Sequence, residues 1–336
     1  MSRIDTVTEQ SVPALLVDMG LAAAVEEVAV ETLTGGVSSS VLRADVGSRG
    51  FVIKQALPEL RVKREWHSDP HRSRVECRAA KYLAAILPGR VPAVISEKGS
   101  ANLFVMEAAP RGSATWKAEM LSGRFDESIA GEAGTILATI HESSLGNAPL
   151  AAEFENKTFF RELRVDPYIR EVGRQMPALT ALAEAWARRL EQGGSTFVHA
   201  DFSPKNILIT PDRVVLLIDH EVAHWGDPSF DLAFFMTHLL AKSLRSQEAL
   251  TSLKVSLERY QQAAPRSWAL VEGAGQLVGL MMMARVRGKS PLEYLSERES
   301  RILNDAAMLF ALTPPITLDR SPHLMHEFLT SRSEAD

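Results

Sequence analysis

His199, Asp201 and Asn206 are spaced as H-x-D-x-x-x-x-N, and Asp219 follows thirteen positions after Asn206. Asp and Asn side chains are hard oxygen donors of the kind that suits Mg2+. Asp201, on the loop before Asn206, is a carboxylate that could meet a substrate hydroxyl. Such a carboxylate beside an Asn/Asp oxygen pair fits phosphoryl transfer, which asks for positioning and charge neutralisation more than covalent chemistry. Asp201 is therefore the candidate catalytic residue, with Asn206 and Asp219 as candidate metal ligands. The plainer alternative makes His199 and Asp201 loop caps and Asp219 a strand-end turn residue.

The intervening residues explain the spacing. Ile207–Ile209 is a short apolar strand, residues 210–213 (Thr-Pro-Asp-Arg) carry turn chemistry, and Val214–Ile218 is a second aliphatic strand. A hairpin of this kind brings its outer ends together, so the sequence predicts Asn206 and Asp219 as neighbours.

Upstream, strands are expected over Val28–Leu33, Val41–Val46, Phe51–Lys54, Val91–Ile95 and Leu103–Met106. Gly35, Gly36, Ser38 and Ser39 lie between the first two of these. Glycines there let backbone N–H groups approach phosphate oxygens, and the hydroxyls add donors; an ordinary hairpin loop is the competing reading. Lys54 sits in an apolar strand, where an unpaired ammonium is expensive to bury. A helix over Arg72–Ile86 offers Glu76 as its partner, with Glu59 and Glu65 as rivals. Residues 108–112 read as a linker, and main-chain groups at Glu107 and Ala109 are candidates to read an adenine ring.

Beyond the linker the chain reads as mostly helical. Apolar stripes mark Ile129–Ile140 and Leu179–Leu190, and further helices are expected over Asp231–Ser243, Gln247–Ala263, Trp268–Arg287 and Pro291–Phe310. A helix over Val12–Val25 precedes the strands, and the last twenty or so residues read as a poorly specified tail. The result is an α+β chain in two lobes: residues 1–107 binding nucleotide, 108–112 a hinge, 113–336 carrying catalysis and the acceptor.

The 336 residues carry 37 basic and 42 acidic side chains, a net charge of −5 with no basic footprint, which argues against nucleic acid. Cys77 is the single cysteine, excluding an internal disulfide and fitting a reducing, cytoplasmic setting. Glu26 and Glu27 interrupt the first apolar run, so no signal peptide is read. The stretch Leu277–Ala284 is far short of the ~20 residues that cross a bilayer. Its three methionines, Met281 to Met283, read as core.

This order of parts resembles the aminoglycoside phosphotransferase and choline-kinase branch of the protein-kinase-like fold. Within it, residues 54–58 (Lys-Gln-Ala-Leu-Pro), the loop containing Trp66, Arg72 and residues 218–221 (Ile-Asp-His-Glu) resemble methylthioribose kinases. The resemblance runs over most of residues 30–290, with Ala200 standing where the small-molecule kinases usually carry Gly. It implies a bilobal enzyme that uses ATP and Mg2+ to phosphorylate a hydroxyl of a small, sugar-like or polyhydroxylated metabolite. In that scheme Asp201 orients or deprotonates the hydroxyl, and Asn206 with Asp219 holds the metal, with Glu221 contributing directly or through water. Lys54, fixed by Glu76, addresses the α- and β-phosphates. His199 is structural, and Asp227 and Asp231 brace the catalytic loop. Trp225 is a candidate for the acceptor pocket, packing being the other reading.

The alternatives are an aminoglycoside or macrolide kinase and a nucleotide-binding pseudokinase. The latter would be marked by loss of Lys54, Asp201 or Asp219, and all three are present. From Asp231 to Asp336 acidic and basic side chains are equal in number, twelve each, so no acidic excess awaits a polycation. Arg285 and Lys289 fall near a helix end, where they read either as a solvated cap or as a clamp for an anionic acceptor. Expected partners are thus a small hydroxylated acceptor, neither nucleic acid nor membrane, and a homodimer is compatible with the sequence.

Overall fold

The computed structural model describes residues 6–33, 38–59, 68–313 and 316–333. Two compact units emerge, one of residues 1–113 with 210–222, the other of 114–209 with 223–336.

In the first unit five antiparallel strands, β1 (Val28–Thr32), β2 (Ser39–Val46), β3 (Arg49–Ala56), β4 (Val94–Lys98) and β5 (Leu103–Glu107), lie in the order β1-β2-β3-β5-β4. Alternation along β2, β3 and β5 sends Leu42, Ala44, Phe51, Ile53, Leu103 and Val105 to one face. Val12 and Leu16 of helix α1 (Val12–Asp18) pack into that cluster. Lys54 falls on the opposite face of β3, opposite Phe104 of β5 in the strand register. Helix α2 (Arg72–Ile86) buries Arg72, Glu76, Cys77, Ala80 and Leu83. The expected helix over Val12–Val25 is shorter: α1 stops at Asp18, where Gly20 at φ +69 reverses the chain, and Val25–Glu27 forms a separate 3-10 turn.

The second unit is built on helices. Glu127–Ser144 crosses Glu248–Ala263 closely at Gly134, where an added Cβ would lie 2.1 Å from the Ser256 carbonyl oxygen. All fifteen residues of Ser229–Ser243 are buried. The sequence expectation of one helix over Trp268–Arg287 is corrected: Pro265–Val271 and Gly275–Arg287 meet at a 70° bend. The break spans residues 272–274 with glycines at 273 and 275, which favour a turn over a continued helix. Likewise Pro291 does not start a helix, because Ser296 supplies a capping box with Glu299 and the helix runs Glu297–Leu312. Within the supposed tail the chain forms a helix over Ser321–Ser333. Met281, Met282 and Met283 are fully buried core residues. Among the described residues no single helix is long and apolar enough to cross a membrane.

Residues Arg161–Arg170 form a π-helical segment with Pro167 inside it. Hydrogen bonding five residues apart is rare and tends to occur where side chains must be re-aimed. Arg164 and Tyr168, both buried, project from this segment.

Candidate active site

Lys54 Nζ lies 2.6 Å from Glu76 Oε1 and 2.5 Å from Asp219 Oδ1. Strand β3 supplies the lysine, α2 the glutamate, and the turn after Val215–Leu217 the aspartate. Glu59 is exposed, and Glu65, with Gly35, Gly36 and Trp66, lies outside the described residues. Burial opposes the Lys54 ammonium, but Asp219, Glu76 and Glu221 outweigh it and hold the group well above the ordinary lysine range. Burial raises the Glu76 carboxyl to about 7 against the pull of Lys54, with Asp219 and Glu221 adding to the rise.

Glu76, Asp219 and Glu221 each offer an oxygen within 4.8 Å of the others. Arg72 Nε donates to Glu221 Oε2 at 3.0 Å. The remaining donors of that fully buried guanidinium reach the carbonyls of Ser38, Leu57, Ser68 and Asp69. Arg72 therefore ties the end of the Ser38 loop to α2 and to Glu221, a role the sequence did not disclose. Three carboxylates against Lys54 and Arg72 leave one negative charge over, and all the donors are hard oxygens. That set fits a divalent cation such as Mg2+. Asp219, whose side chain keeps 22% exposure, is the most open of the three. Its backbone is left-handed at φ +69, which is uncommon without glycine and sets the direction of the carboxylate.

Ser38 and Ser39 are buried beside this arrangement in β-strand approach, and Ser38 gives its carbonyl to Arg72. Glu107 donates its N–H to Ala93, and the Ala109 carbonyl accepts from Arg43 Nη1 at 2.8 Å.

The second unit holds the other motif residues. Asp201 Oδ2 gathers three donors: Asn206 Nδ2 at 2.8 Å, Lys205 Nζ at 2.9 Å and Arg164 Nη2 at 3.1 Å. Asn206 Nδ2 also reaches the Asp201 carbonyl at 2.9 Å, which fixes the amide and turns its oxygen the other way. Arg164 Nε donates to the Ala200 carbonyl at 2.8 Å, so the π-helical segment grips the loop at two points. This arginine was not legible beforehand, because the charged run around Pro167 has no helical stripe.

His199 is fully buried, and its Nδ1 accepts the Asp201 N–H at 3.2 Å. Asp231 accepts the N–H of His199 and of Ala200, both at 2.7 Å. His141 bridges Asp231 and the Tyr260 hydroxyl from the neighbouring helices. Asp227 is engaged elsewhere, with Arg189 at 2.7 Å and the Ser229 N–H at 2.9 Å. It thus serves the start of the following helix and makes no bond to the catalytic loop among the described contacts, contrary to the expectation that it braces that loop.

The acceptor candidates separate. Trp225 pairs with Phe197 across the ribbon of Thr196–Val198 and His224–Gly226, and its indole lies against Gly194. Lys289 lines a surface hollow of about 730 Å³ with Asp166, Arg170 and Arg174. This hollow contains none of the motif residues. Arg285 is buried, donating to the Tyr168 hydroxyl at 2.9 Å and to Ser290 at 3.0 Å.

A methylthioribose kinase of Bacillus cereus (strain G9842) is 24% identical over 70% of this chain and 66% of its own length. The chain thus spans less than two thirds of the curated relatives it matches, 60% for the second of them. The gentamicin complex of APH(2'')-IIa covers 94% of this chain and 99% of its own, at 14% identity and TM-score 0.53. Choline kinase from Cryptosporidium parvum Iowa II covers 97% and 96%, at 12% identity and TM-score 0.52. These likenesses identify the α+β, protein-kinase-like fold. A family model described as the phosphotransferase enzyme family matches residues 29–271, and the chain belongs to that family.

Proposed function

We propose that this chain transfers the γ-phosphate of ATP, with Mg2+, to a hydroxyl of a small polyhydroxylated metabolite in the cytoplasm. The observation that carries the reading is the lysine held between two carboxylates, Lys54 with Glu76 and Asp219. Such a lysine is fixed in direction and stays charged, as a group meeting phosphate oxygens must be.

Lys54 takes the α- and β-phosphates, and the backbone at Ser38 and Ser39 covers them. Because the Glu107 N–H and the Ala109 carbonyl are already engaged, an adenine would meet the Glu107 carbonyl and the Ala109 N–H. Asp219, beside Glu76 and Glu221, would hold the metal ion, which would supply neutralising charge to the phosphates. Glu221, fixed by Arg72, would contribute to the metal site directly or through water. Asp201 accepts the hydrogen bond of the acceptor hydroxyl and orients its oxygen; Arg164, Lys205 and Asn206 hold that carboxylate in place. Asp231 and His199 support the loop from behind.

The test is ADP release by the purified protein across a panel of sugars, sugar derivatives, amino alcohols and aminoglycosides. Turnover should require Mg2+ and be lost in Asp219→Ala. Absence of nucleotide binding, or release that is indifferent to Asp219, would overturn the reading.

A further inference from the structure

One group of basic side chains in the second unit is not used by the steps above. Lys242 is 3% exposed and Arg285 8%, and both come from helices, Ser229–Ser243 and Gly275–Arg287. Three nearby carboxylates are each ion-paired with another cation: Glu293 with Lys117, Glu299 with Arg245, and Asp201 with Arg164 and Lys205. Among the described residues Lys242 and Arg285 have no carboxylate at ion-pair distance. Lys242 Nζ donates only to the His238 carbonyl, at 3.2 Å.

The surrounding atoms are short of partners as well. Arg285 Nε and His238 Nε2 are buried without a hydrogen bond, and so is the Tyr294 hydroxyl. His238 is 5% exposed, and burial, then Arg285 and Lys242, push it well below the usual histidine range. A neutral imidazole can still donate one N–H. Tyr294 gathers three cations around its ring: Lys242 at 5.3 Å, Arg245 at 5.4 Å and Lys117 at 5.5 Å from the centroid. Access exists on this side, since the Lys117 side chain keeps 28% exposure and that of Glu293 67%.

The group is also joined to the proposed hydroxyl site within the same unit. The Arg164 guanidinium holds Asp201 and lies 5.9 Å from the Tyr168 ring centroid, and the Tyr168 hydroxyl accepts from Arg285. A single tyrosine thus separates the cation that holds Asp201 from a cation that has no carboxylate partner.

Burying two cations with no carboxylate at ion-pair distance is costly, and an anionic ligand would supply the missing partner. We propose that His238, Lys242 and Arg285 bind an anionic substituent of the acceptor, a carboxylate or a phosphate monoester, while Asp201 receives its hydroxyl. This rests on the kinase reading and narrows the acceptor from polyols in general to anionic alcohols. A polycationic aminoglycoside meets the wrong sign of charge here.

The test measures binding and turnover separately on the full chain. Inorganic phosphate, glycerol 3-phosphate, glycerate, glycerol and choline are titrated calorimetrically at matched ionic strength, and ADP release is followed with each alcohol. The anionic probes should bind about tenfold or more tightly than glycerol or choline, with glycerate against glycerol 3-phosphate deciding between carboxylate and phosphate. Lys242→Met and Arg285→Gln should each weaken that binding about tenfold while Mg-ATP affinity is kept. Lys242→Met should also raise Tm, because it removes a desolvated charge. A purely structural lysine would give a lower Tm and unchanged anion binding. Should one variant fail to fold, Arg285→Lys retains the charge without the fork and should give an intermediate loss. Equal binding of neutral or cationic alcohols, or no binding of any anion, overturns the proposal. Anion binding without ADP release keeps this site and removes the kinase reading; release with neutral polyols alone does the reverse.

Discussion

Asp231 accepts the backbone N–H of Ala200 at 2.7 Å, and Ala200 stands in left-handed backbone at φ +62. The bond, with its twin to His199, holds the loop in a conformation that costs an alanine roughly 1 kcal/mol. Ala200→Gly removes that cost but adds freedom to the unfolded chain, so stability should change by less than about 1 kcal/mol. Asp231→Asn should cost about 2–4 kcal/mol, since two buried N–H groups lose a charged acceptor. Urea unfolding checks both, and a larger loss for Ala200→Gly than for Asp231→Asn would refute the account.

Asp201→Asn should lower turnover by ~10² to 10⁴ while leaving nucleotide affinity in place. The variant loses the charge that Arg164 and Lys205 share, yet an amide can still accept from Asn206. Single-turnover kinetics beside a nucleotide titration would show it; near-normal turnover means that Asp201 is not the residue that meets the hydroxyl.

Lys54 and Glu76 should behave as one unit. Lys54→Met leaves Glu76, Asp219 and Glu221 facing one another without their central ammonium, so it should destabilise strongly. Adding Glu76→Gln should restore part of that loss, with a coupling of about 0.5–3 kcal/mol. Additive losses in the double-mutant cycle would show that the two do not act together.

Lys242 makes a pH prediction whose sign can be worked out. Burial first, then Lys117 and Arg285, lower its pKa from 10.5 to about 7, Glu293 opposing; His238, Arg245 and Tyr294 also face it. A lowered folded-state pKa means that between pH 7 and 10.5 the unfolded chain binds the extra proton. Lys242 should therefore make the protein more stable as pH rises through that window and impose its full penalty below it. Comparing wild type with Lys242→Met at pH 7 and pH 9 isolates this contribution. The difference between the two proteins should shrink by about 2 kcal/mol or more as pH rises, and a constant difference would refute it.

Much of this was legible in the residues because the elements concerned carry their own periodicity. Helix α2 begins and ends where its stripe does, at Arg72 and Ile86, and Glu76 lies on its buried side. β3 likewise shows its apolar pattern without help from the rest of the chain. What could not be read depends on long-range partners. The family resemblance marks Arg72 but not its partner, because Glu221 stands 149 positions later and meets it only in the fold. Arg164 lies in a charged stretch containing Pro167, which suggests a loop until packing imposes the π-helical register. Lys242 ends a helix whose earlier residues are apolar, so it reads as a solvated C-terminal lysine, whereas the helix Gly275–Arg287 and its own Tyr294 neighbour enclose it.

The wider turn of Arg161–Arg170 makes this stretch sensitive to length in a way that ordinary helices are not. At roughly 3.6 residues per turn an α-helix advances 100° per residue, whereas a π turn advances less, so one residue is accommodated without changing where the chain leaves. Deleting a single residue here would pull the segment back into α-helical phase. Arg164 and Tyr168 would rotate away from Asp201 and Arg285 together, although no side chain in either pair had been altered. Relatives that differ by one residue in this stretch should thus differ in what they hold beside the loop aspartate, and alignments that place the gap elsewhere will hide the reason.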